Sequence, residues 1–377
     1  MRKAAIITIL DNTNYGTYLQ ALALGLVIKN LGYKVEIIDY VRSFMTRKAI
    51  LSRSKNPIKK IFNALFNIPQ QEKLKKKDKE FLQEFIQLTP QTYTSFKALK
   101  DNPPIADIYI TGSDQVWNST YNRGIDKSYY LDFAPQYSKR ISYASSIGME
   151  DFPTNEKNEV YKLLKQYTHI TVRENDAKNI LSRLSIENVD VVLDPTLLLN
   201  KKDWENIIAK FKPIKTPPFI LVYTVETDRE NKLIEYYAKI VSKKHSCPIY
   251  EVSYNGYLKR LKFADKHFLR ATPSTFIQLM AQAKFVIVSS FHGTAFSINF
   301  NKQFLTITPN RFNSRVNNIL KLCHLESRLV NSENYDIENI HEIDFMEVNT
   351  ILDNERNKSL AKLNSMLEFP FTNNIKQ

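Results

Sequence analysis

One stretch constrains the fold more than any other: Lys284-Phe285-Val286-Ile287-Val288-Ser289-Ser290-Phe291-His292-Gly293-Thr294-Ala295-Phe296-Ser297. Phe285 to Val288 is an unbroken apolar run rich in β-branched residues. That is the pattern of a central parallel strand covered on both faces. Two serines end the run, and Gly293 permits a tight turn. Thr294 to Phe300 is mostly apolar and reads as a short helix against the sheet. Such a loop opens at the carboxyl end of a strand and the amino end of a helix. Ligands of open α/β sheets gather there, and helix amino ends favour anions. His292 brings a titratable imidazole to the loop, either as a reaction centre or as a residue that only caps its own helix.

The rest of the chain repeats this alternation. Ala4 to Leu10 reads as a first strand, Asp11 to Gly16 as a turn-rich loop, Thr17 to Leu31 as a helix stopped by Gly32, and Val35 to Ile38 as a second strand. This opening is that of a doubly wound domain, but its loop lacks the G-x-G-x-x-G of a dinucleotide site. Further strands are expected at Ile105 to Ile110, Tyr129 to Phe133, Arg140 to Ala144, His169 to Val172 and Val189 to Leu193. A helix spans Asn155 to Thr168. Lysines and prolines cluster between Asn200 and Pro218, as in a crossing between domains. A second series then begins with strands Phe219 to Tyr223 and Ile249 to Val252 and a helix from Thr272-Pro273 to Ala283. The expected organisation is an N-terminal domain at 1–199, a crossing at 200–218, a second domain at 219–339, and a C-terminal helix at 340–377 able to pack back on the first domain. A length of 377 residues and 43% hydrophobic content suit two buried cores.

Residues 42–100 differ in character. Lysines (among them Lys73, Lys75, Lys76 and Lys77) are interleaved with Phe62, Leu65, Phe66, Phe81 and Leu82. The segment reads as an inserted, mostly helical basic arm: a solvated helix pair, or a contact with an anionic membrane surface, where each basic residue near the surface is worth about 1 kcal/mol. The net charge of +14 favours anionic partners. Nothing matches a nucleic-acid-binding fold. The two cysteines, Cys247 and Cys323, make neither a disulfide framework nor a metal motif, so a reducing cytoplasm is the expected setting. The apolar start meets Asp11 and Asn12 instead of a cleavage site and is expected to be a strand rather than a leader. No stretch is long enough to span a bilayer.

Polar residues sit at several expected strand ends. Asn14, Tyr15 and Gly16 follow the first strand. Gly112-Ser113-Asp114-Gln115-Val116-Trp117-Asn118 follows another. Trp117 with Asp114, Gln115 and Asn118 offers a flat apolar face plus hydrogen-bonding groups, which suits a sugar; a capped helix start with a buried Trp has the same composition. Arg173 follows the strand His169 to Val172. It can bind a phosphate or carboxylate through two parallel hydrogen bonds, or pair locally with Glu174.

These residues resemble a family, the polysaccharide pyruvyl transferases. The resemblance runs through N-Y-G-T-Y-L-Q-A, G-S-D-Q-V-W-N, Y-Y-L-D-F, R-I-S-Y-A-S-S-I-G, T-V-R-E, V-L-D-P-T, S-S-F-H-G-T-A-F-S and R-F-N-S-R-V-N-N-I-L, in that order along the chain. It implies an α/β fold of two Rossmann-like domains facing a cleft, similar to GT-B glycosyltransferases, with the basic arm and C-terminal helix as additions. It implies phosphoenolpyruvate as donor, a sugar diol of a surface polysaccharide or its precursor as acceptor, and a cyclic pyruvate ketal as product. No cofactor and no metal is required. His292 is then the catalytic histidine. Arg173, Ser290, Phe291, Gly293, Thr294 and Arg315 fall to the donor, and Asn14, Tyr15, Gly16, Asp114, Gln115, Trp117 and Asn118 to the acceptor. Two other readings stand beside this one: a GT-B-like glycosyltransferase using a nucleotide sugar, and a non-catalytic carbohydrate-binding or scaffold member of a capsule assembly pathway. The acceptor could be lipid-linked, and the basic arm is consistent with a cytoplasmic protein peripheral to the inner face of the cytoplasmic membrane.

Overall fold

The computed structural model describes all residues except 11–13, 54–55, 226–227, 309–312, 338 and 369–377. The first three residues of the expected loop at 11–16, and Arg311-Phe312 of the last motif, lie outside the described residues. The chain divides into two compact units. One comprises Met1–Asn12, Thr17–Leu198 and Asn357–Gln377, the other Thr13–Gly16 and Leu199–Arg356.

The first unit holds β1 (Lys3–Ile7), β2 (Lys34–Ile37), β3 (Gln87–Leu88), β4 (Ile108–Thr111), β5 (Lys139–Ser145), β6 (His169–Val172) and β7 (Val189–Val191). They form one sheet in the order 3-2-1-4-5-6-7, and every pairing is parallel. Ala4 to Ile7 and Ile108 to Ile110 are essentially inaccessible, as expected of central strands covered on both faces. The second unit holds β8 (Ile220–Tyr223), β9 (Ile249–Ser253), β10 (Lys266–Leu269), β11 (Phe285–Val288), β12 (Gln303–Ile307) and β13 (Leu329–Val330). Their order is 10-9-8-11-12-13, again all parallel. Both sheets therefore follow the Rossmann order 3-2-1-4-5-6, with the switch in direction between β1 and β4 in one unit and between β8 and β11 in the other. The fold is α/β with two parallel-sheet domains.

Three local expectations need correction. Tyr129 to Phe133 is not a strand: Lys127–Tyr130 is a 3₁₀ turn capped by Asp126, and Leu131 follows at φ 56. Its aromatic run is buried because it faces the core, which a strand and a turn do equally well. The arm at 42–100 is mostly helical, with helices Arg47–Arg53, Pro57–Phe62 and Ile68–Gln83, but it is not wholly an insertion outside the sheet. It also supplies β3, the edge strand on β2. The outer strands β3, β10 and β13 are short or half-exposed and lack the apolar run that marks a central strand. Finally, Lys201–Ile208 within the expected crossing is a helix with a reciprocal cap between Asn200 and Asp203.

The last helix, Phe345–Glu368, serves both units in turn. In the second unit Arg356 donates to Asn299 Oδ1 at 2.9 Å. In the first, Ser359 Oγ accepts from the backbone of Leu193 at 3.1 Å, and Leu367 O accepts from Lys139 Nζ at 3.3 Å.

Candidate functional site

In the second unit the switch point joins the carboxyl ends of β8 and β11. Ser289 Oγ lies 2.7 Å from Thr224 Oγ1, which ties the two strand ends together. The helix that follows begins earlier than expected, at Phe291, and runs to Asn299. Ser290 is its N-cap: its Oγ accepts from the Gly293 backbone at 3.1 Å, satisfying one of the helix's first free amides. His292 thus sits in the first helical turn, not in a loop, and is 4% exposed. Gly293 is helical, and closeness is its constraint. A Cβ there would lie 2.7 Å from Val288 Cγ1, so only glycine lets the helix start this near the strand end. Thr294 is fully buried, its hydroxyl donating to Ser290 O at 3.0 Å and lying 2.9 Å from Thr306 Oγ1 on β12.

Asn14, Tyr15 and Gly16 belong to this unit rather than to the first. The reason is a set of ring contacts. Tyr15 stacks on Phe276 at 4.7 Å and meets Tyr254 at 4.1 Å and Tyr223 at 5.4 Å, and it is fully buried. Asn14 Oδ1 accepts from Gly16 N at 2.9 Å and from the Tyr223 hydroxyl at 3.3 Å. Gly16 lies directly against the His292 ring. An ideal Cβ on residue 16 would fall 2.0 Å from Nδ1. Burial pushes the Tyr223 phenol well above its ordinary range, so this hydroxyl stays protonated and keeps its proton to donate.

The first unit has its own polar cluster at the ends of β4, β5 and β6. Arg173 is not presented on an open wall. Its side chain is 2% exposed and donates to Asp194 Oδ2 at 2.9 Å, to Ser113 Oγ at 3.4 Å and to Glu174 Oε2 at 3.4 Å. Burial works to lower the guanidinium pKa, but Asp194, Glu174 and Asp114 outweigh it and hold the group above its ordinary value. Ser113 Oγ donates to Asp194 Oδ2 at 2.9 Å, and the Thr196 backbone and hydroxyl both donate to Oδ1. Ser146 donates to Glu174. A register shift in β5, with Ala144 at φ 53, carries Ser145 and Ser146 to this edge.

Asp114 sits at φ 79, in the left-handed region, and accepts from Thr17 Oγ1 at 3.1 Å. Trp117 offers no open face: it is 1% exposed, donates to Tyr129 O at 3.1 Å and stacks on Tyr130. Asn118 is equally buried. It caps the helix Ser119–Asn122 and donates to Gln115 Oε1 and Gly148 O at 2.8 and 3.0 Å. Trp117 and Asn118 therefore support the loop from inside, with Gln115 as their neighbour. Arg315 is half-buried in the first turn of Asn313–Leu322.

Several members of these clusters escaped the sequence reading. Tyr223 and Thr224 end the first strand of the second series, and that position alone could have flagged them. Asp194 and Glu174 fall inside quoted motifs, but the pairing of Asp194 with Arg173 joins two different strand ends, those of β7 and β6.

UDP-N-acetylglucosamine 2-epimerase from Rickettsia bellii aligns with a TM-score of 0.52 at 12% identity, covering 97% of this chain and 96% of its own. The enzyme of the same description from Methanocaldococcus jannaschii, solved in complex with UDP-GlcNAc and UDP, gives 0.52 at 13% identity over 98% and 100%. These likenesses are of fold alone. No curated protein matches by sequence. The polysaccharide pyruvyl transferase family model matches residues 14–311. That span opens at Asn14, whose side chain orders the turn against His292, and takes in β2 to β7 of the first unit and the switch point between β8 and β11 in the second. The chain belongs to the polysaccharide pyruvyl transferase family.

Proposed function

We propose that the protein transfers pyruvate from phosphoenolpyruvate to two hydroxyls of one sugar, forming a cyclic ketal on a surface polysaccharide or its precursor. Membership of the family makes it a transferase acting on polysaccharide; donor, product and residue roles are our reading. The observation that carries it is the setting of His292. It is a buried imidazole in the first turn of a helix whose amides are ordered by Ser290, at the switch point of a Rossmann sheet.

The chemistry needs what that setting offers. Phosphoenolpyruvate carries a phosphate and a carboxylate, and the amino end of the helix Phe291–Asn299 favours negative charge. Protonation of the donor's methylene carbon makes C2 electrophilic. One sugar hydroxyl adds to C2, phosphate departs, and the second hydroxyl closes the ring. Of the two hydroxyl protons, one is balanced by that gained at the methyl carbon and the other leaves on phosphate. An imidazole suits such transfers near neutral pH, so His292 acts as general acid and base. Gly16 and Ser290 position it. Asp114 and Gln115 are assigned to the acceptor. Arg173 acts through its carboxylates, holding the Ser113–Asp114 turn, and not as an open anion clamp.

The test is a donor screen. Phosphoenolpyruvate and UDP-GlcNAc are compared by thermal shift, since a ligand of the folded state raises the melting temperature. Phosphate release and the ketal methyl signal are then followed by NMR with glycan acceptors. Stabilisation by phosphoenolpyruvate, together with loss of turnover in His292→Ala, supports the proposal. Stabilisation by the nucleotide sugar alone would replace it with glycosyl transfer. Glycan binding without turnover of either donor would leave a binding protein.

A further inference from the structure

The basic arm carries an apolar stripe that the fold does not cover. Helix Pro57–Phe62 continues into a π turn at Asn63–Asn67. Ile58, Ile61, Phe62, Leu65 and Phe66 fall at i, i+3, i+4, i+7 and i+8, which gathers them on one side. Each is more than half exposed, Ile58 at 77% and Leu65 at 63%, and the Phe62 and Phe66 rings lie 5.3 Å apart. The next helix, Ile68–Gln83, behaves in the ordinary way and buries Ile68, Leu74, Phe81 and Leu82. Two segments of similar composition in one arm are thus treated oppositely: one is packed on the first unit and the other faces out.

Charge identifies what would cover the stripe. Residues 42–79 contain twelve lysines and arginines against Glu72 and Asp78, a net +10 out of the +14 of the whole chain. Two acids are engaged at once, Glu72 with Arg47 at 3.3 Å and Asp39 with Lys79 at 2.7 Å, while Lys73 and Lys77 are exposed. Arg53, just before the stripe in sequence, and Arg123, from elsewhere in the first unit, are exposed and hold their guanidinium carbons 5.8 and 4.7 Å from the Phe44 ring, with the buried Arg42 at 5.0 Å. A second copy of the chain would bring +10 against +10. A surface that is apolar within and anionic at its face satisfies both features. Among the described residues no helix is long and apolar enough to cross a membrane, so the contact lies in the interface plane.

We infer that Ile58 to Phe66 docks on the surface of an anionic phospholipid bilayer, with the apolar stripe entering the acyl boundary and the surrounding lysines and arginines meeting lipid phosphates. This goes beyond the transfer reaction, and its failure would leave that reaction standing. The test is flotation of the full chain with vesicles of phosphatidylcholine containing 30% phosphatidylglycerol, against phosphatidylcholine alone. Binding to the anionic vesicles is expected, with a fall of at least tenfold on raising salt from roughly 0.1 to 0.5 M. Phe62→Ser/Phe66→Ser and Lys73→Glu/Lys77→Glu should each lower partition about tenfold while melting temperature and far-UV circular dichroism stay unchanged. No flotation, or flotation that neither variant weakens, would overturn the proposal. So would a dimer in sedimentation velocity that Phe62→Ser/Phe66→Ser dissociates.

Discussion

The His292 ring fills the space into which a side chain on Gly16 would grow: a Cβ there would stand 2.0 Å from Nδ1. Both residues belong to the same compact unit, although 276 positions separate them in sequence. Gly16→Ala must therefore push the imidazole out of its place or shift the start of its own helix. A displacement of about 1 Å at a reacting group costs on the order of 10²-fold in rate. The variant is expected to lose that much turnover with little change in donor-induced thermal shift. Turnover within threefold of the parent would mean that His292 is not held by this contact.

His292→Ala should lower turnover by about 10²–10⁴, the usual contribution of a positioned general acid or base. Near-UV circular dichroism should be unchanged, because the helix keeps its Ser290 cap. Full activity in the variant would remove His292 from the mechanism.

Ser290→Ala tests the cap separately. Loss of the bond to Gly293 N should cost about 1 kcal/mol in denaturant unfolding. It should also reduce turnover, since His292 lies in the turn the cap orders. A stability loss with full turnover would show that the cap does not position the imidazole.

Arg173→Met leaves Asp194 and Glu174 buried without their cation. Breaking such a pair from one side costs about 3–5 kcal/mol. The expected result is a large drop in the urea midpoint, as well as lost activity. An unchanged midpoint with lost donor binding would instead make Arg173 a plain ligand residue.

Lys139 gives a pH prediction. Burial, then the charge of Arg2, lowers its pKa from 10.5 to about 8. Between those values the unfolded chain holds the proton and the folded one has lost it, so this lysine makes stability rise with pH through that window. Below pH 8 the penalty is fully present. Lys139→Met escapes that penalty but gives up the bond from Lys139 Nζ to Leu367 O, so its stability relative to the parent should be greatest below pH 8 and should fall as pH climbs toward 10. Melting curves of the two proteins at matched pH check the sign.

Much of the architecture was legible in residue pattern alone. Phe285 to Val288 reads as a central strand because four consecutive apolar, mostly β-branched residues suit a strand covered on both faces, and the apolar run from Ala4 likewise reads as a strand. Thr272-Pro273 announced its helix because a cap hydroxyl and a fixed φ act within a few residues. The polar residues after β4, β6 and β11 stood out because a parallel sheet collects its sites at strand carboxyl ends. What a side chain does there was a tertiary decision. Trp117 looks like a sugar platform until Tyr130 stacks on it, and Arg173 looks like an anion clamp until Asp194 from another strand end takes its guanidinium. Ile58 and Phe81 have the same composition around them, yet one faces out and one faces in. Local pattern carries period and propensity, which are properties of neighbours in the chain. Burial, charge pairing and the seat of His292 against Gly16 are set by neighbours in space, and only the folded sheets bring those together.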